Sequence, residues 1–344
     1  MIFRNVLIFV ALMVVAGLFA AGCGKQPGST PGEGKITARL AGTMPVEHHI
    51  TKAEERFERL VEERTGGKVD IQVFSAGQLY TDKDMVDVIP KGGVELAQVN
   101  WAMWTGLVPS FGIFNIHCLY SDADHFYRTL NGEPAQEVIK EMEEKGNLKF
   151  LGWLYYGDGY FFSTRPVNKL DDFKGLRIRG MSDYDSVLIK ETGAAPAVLS
   201  AAEIYMALQK KTVEGVLTGP TSYVARNYIE VAKYPLENQI GWGWPFALVV
   251  NRDFWNKLPA DVQQAMIDVG KEVTDWTRQE AKKADEAAWR VIKDTPGVTV
   301  CRLPAADDEK MRRIGREAGE KLLAEKIGAE RVNKLVDMVD ALRQ

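Results

Sequence analysis

Cysteine, histidine and surplus basic charge are all scarce in this sequence. Its 344 residues include 3 cysteines and 4 histidines, too few for a disulfide scaffold or for most zinc modules. The 43 basic and 47 acidic side chains leave a net charge of −4, so no basic surplus is available to hold nucleic-acid phosphates. A hydrophobic fraction of 46% and a charged fraction of 26% are ordinary for a globular protein. At roughly 150 residues per domain, the length indicates two domains.

The sequence also lacks the usual motifs of enzymatic chemistry. It contains no glycine-rich phosphate loop of the Walker or dinucleotide type and no G-x-S-x-G nucleophile elbow. His48 and His49 are neighbours and would point in different directions, so we interpret them as loop or surface residues rather than as metal ligands. We therefore predict no catalytic residues, no metal site and no cofactor.

The first 23 residues have the pattern of a secretory signal. An apolar run of 16 residues, Val6 to Ala21, follows Arg4 and is shorter than the ~20 residues that span a bilayer. Small residues then precede Cys23, as in a bacterial lipobox, although leucine is usual where Ala20 stands. We predict a signal peptide over residues 1–23, lipidation of Cys23, and a flexible Gly-, Pro- and Ser-rich tether over residues 24–34. The alternative is an ordinary signal peptide with an incidental cysteine.

Strand and helix patterns alternate along the rest of the chain. The first run is β-α-β-α-β, with predicted strands at Lys35–Gly42, Val69–Phe74 and Val94–Asn100 and predicted helices at Ile50–Thr65 and Asp82–Ile89. A second α/β run lies between residues 147 and 251. The longest helical pattern, Pro259 to Lys293, would extend on the order of 50 Å, longer than one domain is wide. These patterns predict two α/β units and a helix that runs along both.

Several motifs in a fixed order resemble one protein family. They include Lys174-Gly-Leu-Arg-Ile-Arg179, Glu191-Thr-Gly-Ala-Ala-Pro196 and Thr212-Val-Glu-Gly215, with Phe74-Ser-Ala-Gly-Gln-Leu79 in the first half. Together they resemble the solute-binding proteins of TRAP transporters, of the C4-dicarboxylate-binding (DctP) type. The resemblance extends from about residue 36 to the C-terminus.

The resemblance implies an α/β, two-lobed fold of the periplasmic-binding-protein type II, with a central ligand cleft and a long helix spanning both lobes. We place lobe I at residues 35–156 plus about 250–285, and lobe II at residues 157–249 plus about 286–344. The family's members capture an organic acid by hinge closure and deliver it to a membrane permease. The chain is therefore expected to be exported, periplasmic or at the cell surface, lipid-anchored and monomeric.

The resemblance also implies the site residues. Arg179 is expected to form a two-pronged salt bridge to the ligand carboxylate, a task for which a guanidinium is suited. Gly159 stands where many members have a second arginine, and Ala201 where an aromatic side chain is common. Thr218, Asn100 and Thr43 are the other expected ligand-binding positions.

One cation suits one carboxylate, so we expect a monocarboxylate with an apolar or aromatic body. The loss of bulk at Gly159 and Ala201 would leave room for it. Aromatic residues at strand ends would line that space, or else belong to the core: Trp101, Trp153, Tyr156, Trp242 and Trp244. The alternatives are a C4-dicarboxylate ligand, a ligand-sensing subunit of a membrane signalling system, or an enzyme on the same scaffold.

Overall fold

The structure is a computed structural model, and it describes residues 34–242 and 244–343. The predicted signal peptide, the lipidation site Cys23 and almost all of the tether lie outside these residues. Cys118 and Cys301 are both free thiols. Within the described ranges, no helix combines the length and apolar character needed to cross a membrane.

Two five-stranded sheets organise the chain. The first has the order β2-β1-β3-β10-β4, with β1 parallel to β2 and β3, and with β10 antiparallel to β3 and β4. The second has the order β7-β6-β8-β5-β9, with β6 parallel to β7 and β8, and with β5 antiparallel to β8 and β9. The strands are β1 Ile36–Ala41, β2 Val69–Phe74, β3 Leu96–Asn100, β4 Leu148–Tyr155, β5 Tyr160–Ser163, β6 Arg177–Gly180, β7 Ala195–Val198, β8 Gly215–Thr218, β9 Tyr234–Pro235 and β10 Pro245–Asn251.

Helices connect the strands and cover the sheets. They are α1 His49–Arg64, α2 Asp82–Val88, α3 Trp101–Trp104, α4 Gly112–Asn115, α5 Ala123–Asn131, α6 Glu133–Lys145, α7 Asp183–Glu191, α8 Ile204–Gln209, α9 Pro220–Ala225, α10 Arg252–Trp255, α11 Ala260–Asp294, α12 Ala305–Ile327 and α13 Ala329–Asp340. Each sheet with its helices forms one lobe, which we call the first and the second lobe. This arrangement confirms the predicted two-lobed α/β fold.

The long helix α11 contains 35 residues and packs on both lobes. In its first half, Gly270 lies so close to β4 that a Cβ there would clash with the carbonyl oxygen of Leu151. Farther along, Asp285 accepts a hydrogen bond from Thr221 of α9, in the second lobe, at 2.8 Å. The helix that the sequence predicted across both lobes is therefore present.

The lobe boundaries differ from a simple division of the sequence. The division predicted at about residue 250 falls inside β10, which is hydrogen-bonded to the first sheet along its length. At the C-terminus, Gly328 takes a φ of +86°, which favours glycine and separates α12 from α13. Leu335 and Val339 of α13 share a core with Val138 of α6, so the end of the chain packs on the first lobe.

Candidate functional site

A small cleft lies between the lobes, where side chains from both of them converge. Its volume is about 20 Å³, and a single water needs roughly 10–15 Å³, so the lobes are closed on each other. The first lobe contributes Met44, Asp82, Asn100, Tyr156 and Phe246, and the second contributes Arg179, Met181, Ala201, Ile204, Thr218, Ser222, Arg226 and Tyr228. A second and larger cavity, of about 930 Å³, lies along α11.

Arg179 is buried in the cleft wall, at the end of β6. Its Nε and Nη2 atoms donate to the carbonyl oxygen of Leu199 at 2.9 and 2.8 Å, which fixes one edge of the guanidinium. Burial lowers the pKa of Arg179, although the carboxylates of Asp82 and Asp185 act in the opposite direction. Arg177 takes a different course, because its exposed guanidinium donates to the carbonyl oxygen of Lys211 at 2.8 Å. Of the two arginines on this strand, only Arg179 lines the cleft.

A second cation, Arg226, lines the same cleft directly after α9. Its Nη2 atom donates to the carbonyl oxygen of Thr43 at 2.9 Å and so reaches across to the first lobe. The expectation of a single cation was wrong, because the folded chain brings this arginine into the cleft from a helix end that carries no recognisable motif. Thr43 itself is not among the lining residues, and its hydroxyl donates to Gln98 at 3.0 Å.

An acid, Asp82, faces the two arginines from the first lobe. It is the first residue of α2 and is only 7% exposed. Burial raises the pKa of its carboxyl, whereas the charges of Arg179 and Arg226 oppose that rise. Across the part of the chain that is described, none of the three forms an ion pair within 4.0 Å. Two cations and one carboxylate give the cleft a net charge of +1 when all three are ionised.

Three other predicted site residues do line the cleft. The Tyr156 hydroxyl and the Thr218 hydroxyl lie 2.7 Å apart, and the backbone N–H of Gly219 donates to the same tyrosine oxygen at 3.3 Å. Asn100 ends β3 and accepts a hydrogen bond from the backbone N–H of Ala102 at 3.1 Å. Its amide thereby caps α3 while it faces the cleft.

The space expected at Gly159 is already filled. A Cβ at this position would stand 2.5 Å from the indole ring of Trp244. That ring is stacked with the ring of Tyr156, with a centroid separation of 6.4 Å and an interplanar angle of 25°. Gly159 and Trp244 thus support the Tyr156 wall from behind and do not line the cleft.

The remaining tryptophans lie elsewhere. Trp101 and Trp153 are 1% and 3% exposed, and their rings lie 5.0 Å apart in the core of the first lobe. The N–H of the Trp153 indole donates to the carbonyl oxygen of Leu130 at 2.9 Å. Trp242 lines the larger cavity along α11. None of these three rings lines the small cleft between the lobes, and Trp101 and Trp153 follow the core alternative.

Comparison with known proteins identifies the type of protein to which this cleft belongs. The family model of the bacterial extracellular solute-binding proteins of family 7, DctP, matches residues 40–326. The chain belongs to this family. The resemblance found in the sequence is thereby confirmed, and the family is one of solute-binding proteins rather than of enzymes.

Relatives of known name or structure support the assignment along most of the chain. The C4-dicarboxylate-binding periplasmic protein DctP of Rhodobacter capsulatus is 29% identical over 287 residues, which cover 82% of this chain and 84% of that protein. A TRAP periplasmic solute-binding protein from Desulfovibrio salexigens, solved with bound orotic acid, is 25% identical with a TM-score of 0.84, covering 90% of this chain and 100% of that one. Another from Sulfurospirillum deleyianum, with bound succinate, is 24% identical with a TM-score of 0.83, covering 90% and 100%.

In this solute-binding protein, polar contacts join the lobes around the cleft. His48, at the start of α1, lies 3.3 Å from the hydroxyl of Ser222 on α9. Lys83 and Glu203 face each other at 3.7 Å. His48 is fully buried, and burial together with His49 and Arg226 lowers its pKa well below the ordinary value. Burial in the closed form therefore favours the neutral state of this histidine.

Proposed function

We propose that this chain captures an organic acid between its lobes and delivers it to the membrane permease of a TRAP transporter. The proposal rests first on Arg179, a buried guanidinium that lines the cleft and has one edge already fixed by Leu199. Its Nη1 donors have no protein partner within residues 34–242 and 244–343, so they are available to a carboxylate. Binding by residues of both lobes favours the closed form by the difference in affinity between the closed and open forms.

The ligand that we propose carries one carboxylate and an apolar or flat body. The net charge of +1 in the cleft suits a single negative charge, because a buried charge without a partner costs several kcal/mol. Apolar side chains from both lobes form the rest of the wall, among them Met44, Met181, Ile204 and Phe246. The relative from Desulfovibrio salexigens was solved with orotic acid, which has one carboxylate on a flat ring.

A dicarboxylate is the second candidate. Arg226 supplies the second cation that such a ligand would need, and the Rhodobacter capsulatus relative is named for C4-dicarboxylates. Asp82 stands against this candidate when it is ionised, because its charge cancels that of one arginine. The two candidates therefore differ in what they require of Asp82.

The export of the chain and its attachment to a membrane belong to the same proposal. A lipid on Cys23 would hold the binding lobes beside the permease, joined through the tether of residues 24–34. Labelling cells with a fatty-acid analogue would mark the wild-type protein and not the Cys23→Ser variant. Equal labelling of the two would exclude lipidation at this cysteine.

The capture of an acid is tested by calorimetry of residues 34–344 against organic acids, including orotate, succinate and glucuronate. An acid that binds only the folded state also raises the melting temperature. Arg179→Ala should weaken binding by about a hundredfold, since a charge-assisted pair is lost and its partner is left buried. Arg177→Ala, two residues earlier on the same strand, should leave the affinity unchanged. Equal affinities of the wild-type protein and Arg179→Ala would overturn the proposal.

A further inference from the structure

The placement of Asp82 opposite two arginines suggests how the cleft selects among acids, an inference that rests on the proposed function. Asp82 comes from α2 of the first lobe, whereas Arg179 and Arg226 come from β6 and from the end of α9 in the second lobe. All three line a cleft that has closed to about 20 Å³. A ligand that enters between the lobes would meet a carboxylate from the first lobe and guanidinium groups from the second.

The charged groups that line the cleft do not pair with one another. Neither arginine lies within 4.0 Å of a carboxylate oxygen of any residue that the structure describes. Each guanidinium instead donates to a backbone carbonyl oxygen, that of Leu199 for Arg179 and that of Thr43 for Arg226. The arginines are thus oriented by the backbone and not neutralised by Asp82, although its charge acts on both.

Asp82 is not the residue whose hydroxyl or carboxylate forms the side-chain cap of α2. The cap of α2 is formed by Thr81, whose hydroxyl accepts from the backbone N–H of Asp84 at 3.2 Å. The Asp84 carboxylate in turn accepts from the hydroxyl of Thr81 at 2.7 Å. Thr81 and Asp84 thus form the cap, while the backbone N–H groups of Asp82 and Lys83 act on the Asp82 carboxylate. Its position in the first turn still favours the ionised form, because the helix dipole stabilises a negative charge there.

We propose that Asp82 is a specificity-determining residue, which accepts a hydrogen bond from an N–H or O–H donor on the ligand and excludes a second carboxylate. The preferred ligand then has a carboxylate at one end, held by Arg179, and a donor at the other end, held by Asp82. Because these groups belong to different lobes, such a ligand connects the lobes directly. A dicarboxylate of the same length would place two negative charges together in a closed cleft, where repulsion is weakly screened.

Matched pairs of ligands test this inference. The probes are succinate with succinamate, glutarate with glutaramate, and orotate with 1,3-dimethylorotate, measured by calorimetry at pH 7.5. Within each pair of the first two, one carboxylate is replaced by an amide of nearly equal size that donates N–H. In the third pair, methylation removes the ring donors and keeps the single carboxylate. In each pair that binds, we expect the wild-type protein to bind the monocarboxylate that carries a donor at least about tenfold more tightly than the other member of the pair.

The Asp82→Asn variant should shift the preference within the pairs. Without the negative charge, the ratio of diacid affinity to mono-amide affinity should rise by at least about tenfold. Asp87→Asn is the matched control, since Asp87 lies on the same helix with a side chain that is 82% exposed, and its ratios should equal those of the wild-type protein. A ratio unchanged in Asp82→Asn, or a diacid preferred by the wild-type protein, would overturn the inference.

The outcomes also separate this inference from the function on which it rests. Binding of some other acid together with no binding of any probe pair would refute the role of Asp82 and leave the capture of an acid standing. The same conclusion would follow if Arg179→Ala lost all acid binding while Asp82→Asn kept the wild-type ratio of affinities. The role of Asp82 would be refuted, and the capture of an acid would stand. Failure of the wild-type protein to bind any acid would overturn both.

Discussion

Asp285, on the long helix α11, accepts a hydrogen bond from the backbone N–H of Asp158 at 2.8 Å. Asp158 belongs to the turn that carries the chain from β4 of the first lobe to β5 of the second. The other oxygen of the same carboxyl accepts from the hydroxyl of Thr221 at 2.8 Å. One side chain thus joins the helix, the crossing segment and α9. The Asp285 carboxyl therefore holds both the crossing segment and α9 of the second lobe against α11.

The close contact between the crossing segment and α11 predicts that a side chain at residue 157 would strongly destabilise the protein. This residue has a φ of +118°, and a Cβ there would stand 2.5 Å from an Asp285 carboxyl oxygen. Gly157→Ala should lower the free energy of unfolding by roughly 2–4 kcal/mol, because backbone strain and a displaced buried carboxyl act together. Urea unfolding measures this change.

Gly175→Ala serves as the control for Gly157→Ala. Gly175 has a φ of +75°, but nothing lies within 4 Å of the added Cβ. The alanine at this position should cost only the strain, roughly 1 kcal/mol. Equal losses in the two variants would show that the contact with Asp285 contributes nothing.

Glu54, on α1, predicts a dependence of stability on pH. Its side chain is fully buried, and both carboxyl oxygens lack a hydrogen-bond partner in the described part of the chain. Burial raises the pKa of Glu54 from 4.5 to about 8. Folding therefore takes up a proton between these pH values, and stability falls as the pH rises through that window. The slope is about 1.4 kcal/mol per pH unit where the unfolded carboxyl is ionised and the folded one is not.

Glu54→Gln should remove this part of the pH dependence. Between pH 5.5 and 7.5, the free energy of unfolding should fall by roughly 2 kcal/mol less in the variant than in the wild-type protein. The comparison uses the change with pH, because the amide leaves its own donors without partners. Glu63→Gln changes an exposed residue of the same helix, one that does not act on the pKa of Glu54, and should behave like the wild-type protein. Parallel curves for all three proteins would argue against a protonated Glu54.

The position of a residue in its strand determined how far the site could be predicted from sequence. Arg179 and Thr218 lie at or near the carboxyl ends of strands that face the cleft, where ligands are expected in α/β sheets. Trp101 follows β3 in the same way, yet α3 begins there and turns its ring against Phe111, with centroids 3.6 Å apart. The position of a residue at a strand end therefore does not by itself predict the direction in which its side chain points.

The residues that sequence reasoning missed reach the cleft through tertiary structure. Asp82 opens a short helix, and Arg226 follows another, and neither belongs to a motif that predicts binding. They meet only because the two lobes close on each other. Phe246 joins them through β10, where it pairs with Asn100 across the first sheet. The chain returns to the first sheet at β10 after forming the second, and strand patterns alone do not predict which sheet a strand will join.

Acidification should destabilise the closed protein through His48. In the folded state burial holds the pKa of this histidine well below 6.5, while the unfolded chain takes up a proton near that value. The contribution of His48 to stability should therefore be complete above pH 6.5 and decrease as the pH falls below it. His49, whose pKa burial lowers to about 4, adds to the same trend.

A variant that keeps the helix cap separates the titration of His48 from its packing. His48 Nδ1 accepts from the backbone N–H of Ile50 at 3.2 Å, and asparagine is a favoured residue at this cap position. His48→Asn should lose less stability between pH 7 and 5 than the wild-type protein, by roughly 1 kcal/mol or more. Ser222→Ala removes the partner on the other lobe but leaves the titration, so its loss should be equal at both pH values. A steeper decline in His48→Asn than in the wild-type protein would contradict the assignment.

The contact between Gly159 and Trp244 predicts a coupling between two substitutions. In Gly159→Ala the new Cβ would lie 2.5 Å from the six-membered ring of the indole, so the indole must move and Tyr156 loses the ring stacked on it. Overpacking of this kind costs roughly 1–3 kcal/mol. Affinity for a bound acid should fall as well, because Tyr156 lines the cleft and its hydroxyl lies 2.7 Å from that of Thr218.

Trp244→Phe replaces the indole by a smaller side chain and so removes the ring atoms that an alanine at residue 159 would contact. The double variant should therefore be more stable than the sum of the two single losses predicts, by roughly 1 kcal/mol or more. Calorimetric melting of the four proteins measures this coupling, and titration with an acid that binds the wild-type protein shows whether Tyr156 recovers its place. If the stability losses of the two single variants simply add, the indole can move aside in Gly159→Ala without strain. The loss of affinity in Gly159→Ala would then need a cause other than the displaced ring.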